Sequence, residues 1–184
     1  MLRRAGLAGA LLTALLTGGG VAVAGDGPSL TTGGPTSVSG TQATTVFRIG
    51  DHTVRQVRYA DGGTLRYTFR VTNRGRFPVT VLGLADRQPE SRLFTATGLT
   101  GTDGGDDVRL GAGESRELTL ELRMGGCESL SARAGAFVDE VVLRTERAGV
   151  LRDDVRLDLP EEVHTGSPRE AFCPRSTATS RPPG

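Results

Sequence analysis

Leu65-Arg66-Tyr67-Thr68-Phe69-Arg70-Val71-Thr72 decides the fold, because every odd position is large and apolar and every even one is polar. A period of two sets one face of an extended chain on a core and the other in water, as in antiparallel sheets. A helix, with its period of 3.6, would place Arg66 and Arg70 beside Tyr67. Leu118-Thr119-Leu120-Glu121-Leu122-Arg123-Met124 repeats the pattern with even numbers inward, and Val155, Leu157 and Leu159 alternate with Arg156 and Asp158.

Four weaker segments complete the set. Thr53 to Ala60 holds Val57 and Tyr59 in phase but Val54 out of it, which predicts a bulge or a strand changing sheets. Pro78 to Leu84 is rich in β-branched residues, Arg92 to Thr97 reads as a short edge strand, and Val138 to Thr145 turns Val141 and Leu143 inward. Turn-forming residues separate these runs at Asp61-Gly62-Gly63, Asn73-Arg74-Gly75, Thr102 to Asp107, Gly111-Ala112-Gly113 and Ala148-Gly149. About seven short strands result, an all-β antiparallel sandwich. Glu128 to Ala136 is the one place suited to a helical turn, and no internal repeat is visible.

Val71-Thr72-Asn73-Arg74-Gly75 followed by Pro78-Val79-Thr80-Val81 resembles the V-T-N-x-G…P-V-x-V hairpin of bacterial extracellular immunoglobulin-like modules, including adhesion-related (CARDB-like) domains of cell-surface proteins. Leu110-Gly111-Ala112-Gly113-Glu114-Ser115 through Leu118-Thr119-Leu120 is similar to the L-x-P-G-E-S…L-T-L lead-in to their next long strand, with Ala112 where Pro is usual. The resemblance spans about residues 46 to 160. It implies an immunoglobulin-like β-sandwich and a non-catalytic spacer, adhesion or ligand-binding role. It supplies no functional residues, since such modules do many jobs.

The N-terminus reads as an export signal. Arg3-Arg4 precede an uncharged stretch from Ala5 to Ala24, most apolar from Leu7 to Leu16, and Ala22-Val23-Ala24 is a small-x-small cleavage pattern. Cleavage after Ala24 is expected, giving residues 1–24 as signal peptide. An uncleaved membrane anchor is the alternative, and both put the rest of the chain outside the cytoplasm. Residues 25–45 are Gly, Ser, Thr and Pro with scarcely a large apolar side chain, and are expected to be a flexible linker. The folded unit is then 46–173, followed by a mobile tail over 174–184.

Hydrophobic residues make up 36% of the 184-residue chain and Trp is absent, so the core is assembled from Leu and Val. A net charge of +1 argues against a nucleic-acid partner. All 22 basic residues are Arg and Asn73 is the only Asn, a composition that reads as GC-rich coding rather than as a recognition surface.

Cys127 and Cys173 are the only cysteines. In an exported chain they are expected to form a disulfide pinning residues 161–172 back onto the sandwich. Reactive or metal-binding thiols and intermolecular pairing are the other readings, and no C-x-x-C or thiolate-stabilising neighbourhood accompanies either cysteine.

Catalytic chemistry finds little to stand on. His52 and His164 are the only histidines, no G-x-S-x-G is present, and zinc would need more ligands at matched spacing. Asp103, Asp106 and Asp107 on a Gly-rich loop are the one candidate calcium site, weighed against their plain use as turn formers. Asp153-Asp154 and Glu161-Glu162 have the composition of a glycosidase carboxylate pair but nothing to position them.

The expectation is therefore a non-catalytic, cofactor-free, extracytoplasmic binding or structural module with a protein or cell-envelope partner. It would meet a membrane only through an uncleaved N-terminal segment. The alternatives are an accessory subunit of an envelope or membrane complex, a small extracellular hydrolase, or a metal carrier. The loop from Gly98 to Asp107 and the C-terminal segment are the first places to look, because function concentrates on loops held by a rigid scaffold.

Overall fold

The computed structural model describes residues 27–102, 104–126 and 135–165. Within them the chain forms ten strands: β1 Leu30–Ser39, β2 Thr44–Ile49, β3 His52–Val57, β4 Thr64–Asn73, β5 Val79–Leu84, β6 Phe94–Gly101, β7 Val108–Leu110, β8 Ser115–Met124, β9 Ala136–Arg147 and β10 Leu151–Thr165. They make two facing sheets. One has the order β1-β4-β8-β6 and the other β2-β3-β10-β9-β5-β7. All pairings are antiparallel except β3 with β10, which run parallel.

The inward sets predicted from alternation meet as they must. Leu65, Tyr67 and Phe69 on β4 pair with Leu122, Leu120 and Leu118 on β8, so odd positions of one strand face even positions of the other. Leu143 and Val141 on β9 pair with Val155 and Leu157 on β10. Tyr67, Phe69, Leu120 and Leu157 belong to one continuous core between the sheets. The rings of Tyr67 and Phe69 stack at 5.7 Å between centroids.

The strand count exceeds the expected seven, because β1, β2 and β7 were not foreseen. Leu30–Ser39 falls where residues 25–45 were expected to be a linker, and the sandwich begins there rather than at residue 46. The reason is physical. β1 buries little beyond Leu30, and is held by its ladder to β4 and by the Thr32 hydroxyl donating to Asp158 O at 2.5 Å. Hydrogen bonds rather than apolar periodicity carry this strand, so no hydrophobic signal marks it.

The bulge expected near Val54 is also absent, since the β2–β3 register runs unbroken from Ile49↔His52 to Thr44↔Val57. Val54 is buried although its parity is opposite to that of the core residue Val57, and the buried Arg55 takes the position in phase with Val57. The register does shift in β10, between Asp158 and Val163, around Pro160. A residue without an N–H is accommodated where the ladder is already interrupted. Cys127 and Cys173, most of the segment suited to a helical turn, the expected signal peptide and the tail lie outside the described residues. So does Asp103.

Candidate functional site

The most concentrated polar chemistry sits inside the sandwich. Glu161 on β10 and Arg55 on β3 turn inward from neighbouring strands and form a two-point ion pair, Nε to Oε2 at 2.6 Å and Nη2 to Oε1 at 3.0 Å. The facing sheet completes it. The Thr36 hydroxyl on β1 donates to Glu161 Oε1 at 2.8 Å and accepts from Arg55 Nη2 at 3.0 Å. The Tyr67 hydroxyl on β4 donates to Glu161 Oε2 at 3.4 Å. Burial, and after it the negative charge of Glu161, push the Tyr67 phenol well above its ordinary value. Within the cluster the two charges answer each other, and its hydrogen bonds clamp the two sheets together.

Sequence reasoning had set Glu161 beside Glu162 as a carboxylate pair. The structure separates them, with Glu161 buried against Arg55 and Glu162 half-buried at a position of opposite parity. Asp153 meets the buried Arg147 at 2.9 Å, and Asp154 lies 3.9 Å from Arg144. His52 is exposed beside Asp51, while His164 shares a 2.6 Å hydrogen bond with Gln56 on the outer face. Asp106 and Asp107 are exposed on the β6–β7 loop. Among the described residues, no three His, Asp or Glu side chains gather closely enough to hold a metal ion.

A second polar device explains the Asn73-x-Gly motif. The buried Asn73 amide donates to the carbonyls of Phe77, Leu110 and Gly111 at 2.8, 3.2 and 3.2 Å, and its oxygen accepts from Gly75 N at 2.9 Å. Its backbone also pairs with Glu114 and Gly113. One side chain thus ties the β4–β5 turn to the β7–β8 turn. Glu114 caps that second turn through Gly111 N, and this hydrogen bond, helped by Arg116, lowers its carboxyl below the ordinary value.

Outside the core, one feature stands apart. All six residues of β2 are exposed, and Val46, Phe47 and Ile49 keep 46%, 40% and 61% of their surface in water. Phe137 on β9 and Val150 in the β9–β10 turn are the other large exposed apolar residues among those described. A cavity of about 530 Å³ opens between Pro89–Arg92 and Gly135–Glu140, with Phe137 in its wall. Sequence reasoning missed β2 because Thr44-Thr45-Val46-Phe47-Arg48-Ile49 has apolar residues on both parities, which no two-period search selects.

No family model and no curated protein matches the chain. Among solved structures it is similar to the cupredoxin domain of amoB from Nitrosocaldus yellowstonii, with 11% identity, 66% of this chain and 65% of that one covered, and a TM-score of 0.26. It is also similar to the YadV chaperone, with 16% identity, 71% and 51% coverage and a TM-score of 0.27. The chain thus spans less than two thirds of the length of either. Both are all-β neighbours at low identity.

Proposed function

We propose that this protein is an exported, non-catalytic binding or structural module of the bacterial cell envelope, acting on a protein partner through its sheet surface. The observation that carries this reading is the gathering of Val46, Phe47 and Ile49 on one exposed strand. Three large apolar side chains left in water on one short strand, Phe47 and Ile49 on one face and Val46 on the other, are surface that a partner would cover. Support for the non-catalytic part comes from Glu161, Asp153 and Asp154, all of which are engaged by arginines rather than aimed into a cleft. Support for export comes from Arg3-Arg4, the apolar stretch and Ala22-Val23-Ala24.

The test has two parts. Fractionation of producing cells, with N-terminal sequencing, should recover the chain outside the cytoplasm starting at Gly25; intact Met1 in the cytoplasm refutes export. Cross-linking in envelope extract should capture one reproducible protein partner, and turnover of a glycoside or peptide library by the purified chain would refute the non-catalytic reading.

A further inference from the structure

Among the described residues the two sheets leave four edges, β1, β6, β2 and β7, and three are blunted. β1 is broken by a register shift between Gly33 and Ser37, with Pro35 inside it. β6 is broken between Ala96 and Gly98, and β7 is only three residues long. Bulges, prolines and short strands are the devices by which proteins prevent unwanted edge-to-edge pairing. β2 has none of them. Its six residues pair with β3 in unbroken register, it contains no Pro or Gly, its one charged residue is Arg48, and it presents apolar side chains on both faces.

We propose that β2 is a docking edge that accepts one extended strand from a partner protein, apolar at alternate positions and acidic opposite Arg48. The proposal rests on the reading of the chain as a binding module and names how that module binds. Backbone hydrogen bonds along the edge supply affinity, and the flanking side chains supply selection. Charge identifies the occupant. Arg48 is the strand's one charged residue and has no ion pair among the described residues, and the exposed Arg58 just beyond β3 has none either.

A second copy of this chain answers that charge poorly. Antiparallel pairing about a two-fold axis keeps each face in phase, so position i meets a position of the same parity. The registers that centre on Val46 or Phe47 set Arg48 against Thr44 or Val46, and the register centred on Arg48 sets it against itself. Opposite charges paired across strands stabilise and like charges destabilise. An acidic strand from another protein neutralises Arg48, and self-pairing never does.

The experiment uses the mature full chain and a labelled synthetic peptide of alternating threonine and valine with one central glutamate. A second peptide carries arginine in place of the glutamate. Binding is read by fluorescence anisotropy and located by amide NMR shifts. The glutamate peptide should bind saturably with shifts centred on residues 44–49, and the arginine peptide should bind about fivefold more weakly. Val46→Lys and Phe47→Lys, both at exposed positions, should abolish binding while leaving the thermal midpoint unchanged. Absence of binding, shifts elsewhere, or equal affinity for the two peptides overturns the proposal. So does sedimentation showing a wild-type dimer that Val46→Lys dissolves, or binding seen only after removal of residues 166–184. Envelope-partner capture that persists in a Val46→Lys chain also rejects the β2 edge, while showing that the chain binds a partner through another surface.

Discussion

Arg55 and Glu161 meet side by side at 2.6 and 3.0 Å on parallel neighbouring strands, yet the groups that complete their hydrogen bonding, Thr36 and Tyr67, belong to the opposite sheet. The pair is therefore an inter-sheet fastening as well as an ion pair. Both side chains are about nine-tenths buried. A charge held so far from water is tolerated only with its partner present, and the pair as a whole adds little over a well-packed apolar substitute.

Removing one partner should consequently be worse than removing both. Arg55→Met or Glu161→Gln leaves an uncompensated buried charge or a buried guanidinium without its carboxylate, and each should cost about 3–5 kcal/mol in urea unfolding. The double variant Arg55→Met/Glu161→Gln, which removes both charges, should recover a substantial part of the summed loss. Strictly additive losses in the double variant would show the two side chains to be energetically independent.

Tyr67 predicts the alkaline behaviour of the fold. Burial and the adjacent Glu161 carboxylate raise its phenol, so the native state holds the neutral form. In the unfolded chain a tyrosine releases its proton from about pH 10. The contribution is thus complete below that pH and is lost as pH climbs above it, at roughly 1.4 kcal/mol per pH unit until the native group also ionises. Unfolding free energies measured from pH 9 upward should fall more steeply for the wild type than for Tyr67→Phe. Parallel curves would mean the phenol is not the group responsible.

Asn73 should be among the most sensitive polar positions. Asn73→Ala strands the carbonyls of Phe77, Leu110 and Gly111 at a buried turn junction, at a cost of about 3 kcal/mol by denaturant midpoint. Asn73→Asp should cost at least as much at neutral pH, because a carboxylate would face three carbonyl oxygens that need donors. An Asp variant as stable as the wild type would contradict the hydrogen-bond assignment.

How far the sequence could be read depended on what held each strand. Tyr67, Phe69, Leu118 and Leu120 alternate cleanly because apolar burial orders β4 and β8, and their facing is legible in the sequence alone. Leu30–Ser39 was not legible, since a ladder and the hydroxyls of Thr32 and Thr36 order it, and Thr and Gly read as linker. Arg55 misled in the opposite direction. A charged residue at an inward position breaks the expected phase, and only the distant Glu161 explains it. Glu161 itself appeared in the sequence as half of an acidic pair, because its real partner lies on another strand and sequence spacing carries no trace of that pairing.

The pairing of Cys127 with Cys173 remains a proposal with a definite consequence. Met124 ends β8 and Thr165 ends β10, and the two ends are linked: Gly125 N donates to Leu93 O, Ser91 Oγ donates to Phe137 O, and Phe137 pairs with His164 next to Thr165. Gly135 approaches Thr165 so closely that an added Cβ would lie 2.5 Å from its carbonyl oxygen. Seven residues lie between Thr165 and Cys173, so the eight chain steps reach up to about 27 Å, against roughly 10 Å between packed sheets. Closing this loop should stabilise the fold by up to about 4 kcal/mol. Reductant, or Cys127→Ser, should lower the thermal midpoint; a midpoint indifferent to both argues that no bridge forms or that it stabilises nothing.

Ala148 and Gly149 turn β9 into β10, both with positive φ, 51° and 72°. The left-handed region suits glycine and penalises a Cβ by about 1–2 kcal/mol, so Gly149 is at ease where Ala148 is strained. Both are exposed, and a Cβ added at Gly149 would touch nothing within 4 Å. Backbone conformation therefore decides the sign of each substitution. Ala148→Gly relieves the penalty but adds freedom to the unfolded chain, and should gain up to about 1 kcal/mol net. Gly149→Ala should lose about the same. Opposite shifts of a few degrees in thermal midpoint are expected from two neighbouring Ala/Gly exchanges, and shifts of the same sign would contradict the turn conformation on which both rest.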